Sequence, residues 1–485
     1  MRLIAAFLAL SFSIAAHAAA IGYEGARHLL NRTGFGATDA EIAQFAPLGR
    51  EEAVDRLLEG ARREAFVAPP AAVDEPYQPF YKLRMLSAEE RMAAQRKLVQ
   101  EGFELRAWWL REMIATPSPL TERMTLFWHN HFATSQQKVR STQLMYRQNA
   151  LLRREALGNF ATLLHGIAKD PAMLIYLDNA GSRKQAPNEN FAREVMELFT
   201  LGEGHYTEHD IKEAARAFTG WSLDRETGEY TYRRVMHDYG EKTVLGRTGL
   251  LDGDDVLDTL LSRPETARFI VAKLWREFVS PTPDAEEVSR WADTFRASHY
   301  EVKPLMRAVL TSDAFWSPAN RGSLVKSPVD LVVGTLRTFG IKPADLRPAV
   351  FACAALGQNP FSPPNVKGWP GGDAWIDSAT LLGRRQFVDR LFRGSDPMAA
   401  TPVAMRDEPK AAPGDFAARM RRSLERGIAD YAFDGDRFAA SLGNAGAKRL
   451  EPLVLAYPPV NGDESEAPIP DRVRALVADA SYQLK

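Results

Sequence analysis

The chain's 485 residues, 45% hydrophobic and 25% charged, are enough for two or three ordinary domains or one large body, and they exclude the disordered and fibrous classes. Its 61 Lys and Arg stand against 62 Asp and Glu, so there is no charge excess of the kind that binds nucleic acid or an anionic membrane. The single cysteine, Cys353, rules out an intrachain disulfide, and its setting in AVFACAALG reads as a buried structural thiol.

At the N-terminus, Arg2 precedes the apolar run LIAAFLALSFSIAA (3–16) and the small residues of Ala16-His17-Ala18. This is the layout of a cleavable export signal. The run is shorter than the ~20 residues of a membrane span, and no later stretch is apolar enough to cross a bilayer. The expectation is a periplasmic or secreted protein that starts near Ala19 and keeps no integral membrane segment.

Helical signals then dominate. Ser87 and Glu90 form a capping box ahead of a long run of helix formers that stops before Pro117. Thr207 with Asp210 repeats the device, followed by an apolar stripe of Ile211, Ala214, Ala215 and Phe218 and a stop at Gly220. Further helices are expected over 38–46, 50–61, 141–157, 264–279, 284–297, 302–312, 327–340 and 378–393. Strand signal is thin. The alternation in 229–235 and the KTVLG of 242–246 predict one small hairpin around a His-Asp-Tyr-Gly turn. The stretch 357–375, GQNPFSPPNVKGWPGGDAW, is too rich in Pro and Gly for regular structure. Trp369 and Trp375 mark it as an ordered loop that packs on the body or lines a cleft. From about residue 394 to 414 the composition is that of a linker, and 415–485 reads as a small helical tail, with helices at 415–431 and 470–482. The fold class is therefore mostly α, a large helical body (19–393) with one small hairpin and a Pro/Gly/Trp-rich loop.

Three places carry candidate chemistry. In FWHNHF (127–132), Ser118 and Pro119 start a helix whose apolar residues are Leu120, Met124, Phe127 and Trp128. At about 100° per residue, His131 falls within this stripe and His129 falls about 160° away, on a face expected to meet solvent. On a helix the pair cannot chelate one ion. His131 alone points inward, either as a satisfied core residue or as a ligand or base.

In NENFAREVMELFTLGEGHYTEHD (188–210), Phe191, Val195, Leu198 and Phe199 form a core stripe, with Asn190, Glu194 and Glu197 as a polar strip beside it. Arg193 stands four residues before Glu197 and can pair with it. The third place is His237-Asp238 at the expected turn, with Lys242 nearby. Five of the nine histidines (129, 131, 205, 209 and 237) fall within this part of the chain. Together these residues suggest a divalent-metal site of His131, His237 and Asp238. Glu194 and Glu197 would serve as acid/base carboxylates and Lys242 would stabilise developing negative charge. The same residues read equally as salt-bridge and cap networks. Nucleophile-elbow, zinc-protease, phosphate-loop and dinucleotide fingerprints are absent from the sequence.

The blocks FWHNHFATS, NENFAREVMELFTLGEGHYTEHDIKEAARAFTGW, HDYGEKTVLG, SPVDLVVGTLR and GQNPFSPPNVKGWPGGDAWIDSATLLGRRQF, in this order, resemble the bacterial domain of unknown function 1800 family, as does RHLLNRTGFGAT near the start. The resemblance spans about residues 25–393. It implies an exported, mostly helical protein whose gene often neighbours that of an exported partner, the domain of unknown function 1501 family, and it transfers no catalytic role to any residue. It places His131, Asn190, Glu194, Glu197, His237, Asp238, Lys242 and Trp369 inside the family's own blocks. Two functional readings remain open: an exported metal-dependent hydrolase, and a non-enzymatic accessory protein that acts with that partner. Carbohydrate binding through the loop tryptophans is a weaker third.

Overall fold

The computed structural model describes residues 19–393 and, apart from 429, 432, 444–445 and 463–465, residues 427–485. The expected export signal (1–18), the linker (394–414) and most of the first tail helix (415–431) lie outside the described residues. The rest is mostly helical, with two small antiparallel sheets.

Helix α1 (Ala88–Ala115) starts on the Ser87–Glu90 capping box, with both reciprocal bonds formed, and ends at Thr116 before the proline. A tight corner leads into α2 (Pro119–His131), whose proline occupies the first helical turn. Then α3 (Thr142–Arg154) runs alongside α2. A buried ion pair fastens the three together. Glu122 of α2 accepts from Arg153 Nε at 2.6 Å and Nη2 at 2.9 Å and from the Trp109 indole N–H of α1 at 2.8 Å. Both charges are nearly inaccessible, so each is tolerated only because the other, with the indole, satisfies it. Leu120 to His129 of α2 are buried without exception, so this helix has no solvent face.

Helix α4 (Glu189–Met196) continues into a π-turn over Glu197–Leu201 that ends at Gly202, in the left-handed region with φ +81°. Helix α5 (Glu208–Ala217) follows on the expected Thr207–Asp210 box. Then come α6 (Pro264–Phe278), α7 (Pro328–Thr338) and α8 (Ser378–Arg393). Short helices at Phe160–Ala168, Gly253–Ser262, Ala285–Ala297 and Val302–Thr311 fill the intervals.

The strands differ from the expected single hairpin. Strand β1 (Trp221–Leu223) pairs with β2 (Tyr230–Tyr232), and β3 (Lys242–Val244) pairs with β4 (Arg247–Gly249). The His-Asp-Tyr-Gly segment connects two hairpins and does not turn one. Asp224 accepts the Glu226 and Thr227 N–H groups in the first turn, and Leu245 (φ 50°) with Gly246 (φ 86°) makes the two-residue turn of the second.

Among the described residues after 427, Ile428, Phe433, Leu450, Val473 and Tyr482 belong to the same hydrophobic core as the body. Phe433 and Phe438 pack on Phe339 with ring centres 5.7 and 5.1 Å apart. Helix α9 (Ile469–Ala478) lies on α8. Leu484 forms a bridge with Val325, and the Lys485 N–H donates to Leu324 at 2.8 Å. Cys353 is fully buried, and burial raises its thiol pKa well above the ordinary value, as a structural role requires. Among the described residues, no helix is long and apolar enough to cross a membrane.

Candidate functional site

The three polar residues at the end of α2 do three different things. His129 is buried, not solvent-facing as its helical angle implied. The face opposite the first stripe is covered by α1 and by the 357–375 loop. Its ring lies between Trp109, Phe361 and Trp369, with centroids 5.3, 5.4 and 5.6 Å away. Its Nε2 accepts the Phe361 N–H at 3.1 Å. Burial lowers its pKa to about 3, so the ring stays neutral and remains an acceptor.

Asn130 clamps the loop a second time. Its Oδ1 accepts the Trp369 N–H at 2.6 Å and its Nδ2 donates to the Trp369 carbonyl at 3.4 Å. Gly368, at φ +80°, lies so close that a Cβ there would run into Asn130, which is why only glycine fits. The loop is thus an ordered wall, as its aromatics suggested. Both tryptophans are nearly buried (Trp369 4% and Trp375 7% exposed), so they anchor the loop and offer a ligand only an edge.

His131 points the other way. Its Nε2 lies 3.2 Å from the Phe199 carbonyl, and Lys273 Nζ of α6 lies 3.0 Å from its Nδ1. One tautomer satisfies both: Nε2–H donates to the carbonyl and Nδ1 accepts from the amine. Burial and the Lys273 charge hold the His131 pKa well below the usual imidazole value. Burial, reinforced by Arg276, brings the Lys273 amine down to about 8. Among the described residues no carboxylate pairs with Lys273, whose Nζ lies over the Phe269 ring, 4.7 Å from its centre.

His131 and Lys273 line a cleft of about 420 Å³ between α2, α6 and the loop. Arg276 and Lys367 also line it. Its floor is a closed charge network in which Asp330 of α7 accepts from Arg123, from Lys485 Nζ at 2.7 Å and from the Ser327 N–H at 3.0 Å. Arg123 also meets Glu277 at 3.3 Å.

The other expected site residues lie elsewhere. Glu197 accepts from the Tyr206 hydroxyl, and Arg193 pairs with Glu208 at 2.8 Å, not with Glu197. Half-buried Glu194 has its pKa raised by burial and by Glu197, with Lys367 pulling the other way. Asn190 is exposed on α4. His237 Nδ1 meets the Thr219 carbonyl at 2.8 Å. Asp238 takes Arg216 Nε at 2.7 Å, which holds its carboxyl at about 2. Lys242 is buried and donates to the Gly240 carbonyl at 3.0 Å.

His237, Asp238 and Lys242 therefore shape the link between the hairpins, and Glu194 and Glu197 are not gathered with His131. Among the described residues, no three His, Cys, Asp or Glu side chains are grouped as a metal site needs. His131 itself has both ring nitrogens engaged, one of them by an amine that would repel a cation. The expected five-residue convergence is replaced by a His131–Lys273 pair.

Sequence reasoning missed Lys273 and Arg276. The only signal was a lysine in RFIVAKLWREF bordering the buried Ile270 and Leu274.

A family model described as protein of unknown function (DUF1800) matches residues 28–463. The chain belongs to this family. No curated protein and no solved structure matches it. The match runs past the Pro/Gly/Trp loop into the tail, so in this DUF1800 protein the family unit takes in all of the cleft wall except Lys485.

Proposed function

We propose that this is an exported protein whose cleft binds a small anionic ligand, with Lys273 as the charge that meets it. One observation carries the reading: an amine lines a cavity of ligand size and has a neutral histidine, not a carboxylate, as its partner. Arg276 on the same wall supplies further positive charge, whereas Lys367 there pairs with Glu203 at 3.4 Å. Most other cations near the cleft are already neutralised, Arg123 and Lys485 by Asp330. The donor set at His131 favours this over the metal-dependent hydrolase suggested by residue types alone.

Calorimetry of the dialysed chain against inorganic phosphate, oxalate and pyruvate tests the reading. At least one should bind, with affinity falling at least tenfold in Lys273→Met and on raising the salt concentration. No binding by the wild type, or binding indifferent to Lys273, overturns it. Near-stoichiometric metal in the purified chain, lost in His131→Ala, would restore the hydrolase.

A second reading, accessory action with an exported partner of the domain of unknown function 1501 family, draws on another observation. Val235 and Tyr239, between the two hairpins, and Leu250, just after the second, are 86%, 61% and 76% exposed, large apolar side chains available to a protein partner. Co-purification from the periplasmic fraction, lost on Val235→Asp with Leu250→Asp, would support it. N-terminal sequencing of that fraction should begin near Ala19.

A further inference from the structure

Among the described residues, Lys242, Lys273 and Lys326 are each at least half-buried with no carboxylate at ion-pair distance, and their surroundings separate them; Lys242 is spent on the Gly240 carbonyl. Lys326 sits 3.7 Å from the centre of the Tyr482 ring, beside a void of only about 20 Å³. Nothing larger than a water fits there. Lys273 opens instead on about 420 Å³, room for a small organic acid with its hydration shell. The Lys273 amine is also oriented. His131 Nδ1 accepts one of its N–H bonds at 3.0 Å, and the histidine is held in turn by the Phe199 carbonyl. A carboxylate at that place would stabilise the ammonium and keep the amine inert. A neutral imidazole does so far less, and it holds the nitrogen equally well when the amine has lost its proton.

An ammonium with a pKa of about 8 is deprotonated in roughly one molecule in ten at pH 7, against fewer than one in a thousand for an ordinary lysine. Arg276, three residues on, lies on the same cleft wall with its guanidinium bonded only weakly, at 3.4 Å, to the Ala272 carbonyl. The arrangement is an amine with a cation one helical turn away. It matches a molecule that carries a carbonyl carbon next to a carboxylate.

We propose that Lys273 is a nucleophilic amine that forms an imine with a small 2-oxo acid in this cleft, with Arg276 taking the carboxylate and His131 as a positioning residue. This rests on the anion-binding reading above. The Nζ lone pair attacks the keto carbon, and the carbonyl electrons move to oxygen, which takes a proton from water. The nitrogen gives one proton to the hydroxide so formed, and its lone pair then expels the hydroxyl, which takes a second proton from water and leaves as water. The iminium nitrogen gives up its remaining proton, so amine plus ketone give imine plus one water with no oxidant or reductant.

The test uses the full chain with pyruvate and sodium cyanoborohydride, read by intact mass and peptide mapping. A single adduct is expected at Lys273, formed at least tenfold faster than at any surface lysine, with a rate that rises through about pH 8. Lys273→Arg keeps the charge and should give none. His131→Leu should slow trapping several-fold. His131→Gln, whose amide can accept from Nζ and donate to Phe199, should restore it, which loss of folding would not. Adducts spread over many lysines, or an unchanged adduct yield in Lys273→Arg, overturn the proposal. If pyruvate binds in a Lys273-dependent way but no adduct is trapped, the imine is wrong and the anion site stands. If nothing binds, both fall.

Discussion

The cleft floor makes a demanding prediction. Asp330 is buried and accepts from Arg123, Lys485 and the Ser327 N–H. Asp330→Asn keeps the cap acceptor and the volume but removes the charge, leaving two buried cations to share Glu277, which touches only Arg123, at 3.3 Å. Breaking a buried ion pair from one side costs about 3–5 kcal/mol. With roughly 2.1 cal/mol/K per residue, a chain of 485 residues has an unfolding entropy near 1 kcal/mol/K, so the melting temperature should fall by about 3–5 °C. Acid should erase the difference. Arg123 and Lys485 hold the Asp330 carboxyl far below its ordinary value of 3.8. Its folded pKa is depressed, so its stabilisation is complete above pH 3.8 and is lost as pH falls, by about 1.4 kcal/mol per pH unit. Scanning calorimetry of both proteins between pH 3 and 7 should show the gap constant above pH 4.5 and closing below 3.8. A gap under ~1 °C at pH 7, or one that widens in acid, would refute the account of the floor.

Two further outcomes concern the loop and a buried acid. Gly368→Ala forces a Cβ into Asn130 at a left-handed backbone position, and should cost about 2 kcal/mol or more and open the loop. Proteolysis between 357 and 375 should then precede global unfolding, and unchanged protection would dismiss the clamp. Asp170 is buried, caps Met173 and accepts from Gln148, yet burial raises its carboxyl to about 7. With the folded pKa raised, its stabilisation is full below pH 3.8 and drains away as pH climbs to 7, on the order of 4 kcal/mol in all. Asp170→Asn should therefore match the wild type near pH 4 and exceed it in urea resistance at pH 8. Equal loss at both would show that the ionised form is well satisfied.

Several helices were legible from a box or a proline at the start, because capping satisfies donors that the helix itself cannot, although the Asp252–Asp255 box ahead of Gly253–Ser262 went unread. Ser87–Glu90, Thr207–Asp210 and Pro119 all stand where expected. The hairpins were misread because Tyr/Thr alternation and a Gly turn are short signals. The decisive turn, Leu245-Gly246, has no Asn or Asp to announce it. Helix spacing ranked His129 as exposed because a wheel assumes one buried face, whereas α2 is enclosed on every side. What covers it is the 357–375 loop, more than two hundred residues away in sequence.

The site was hidden by a similar long-range cause. Glu194 and Glu197 looked poised for chemistry on an ideal helix. After Met196, however, the chain takes a π-turn, in which the Thr200 hydroxyl donates to the Val195 carbonyl five residues back at 2.8 Å. That extra residue per turn shifts the phase of everything beyond it. The helix ends at Gly202, so the Phe199 carbonyl is among the last that no helical N–H takes, and it is left for His131. The carboxylate helix therefore serves the cleft through its backbone, fixing the tautomer of His131 and so the acceptor that holds Lys273. Both blocks of sequence that drew notice for their His and Glu content do meet. Their contribution is to orient an amine supplied by α6, whose own stretch carries no motif.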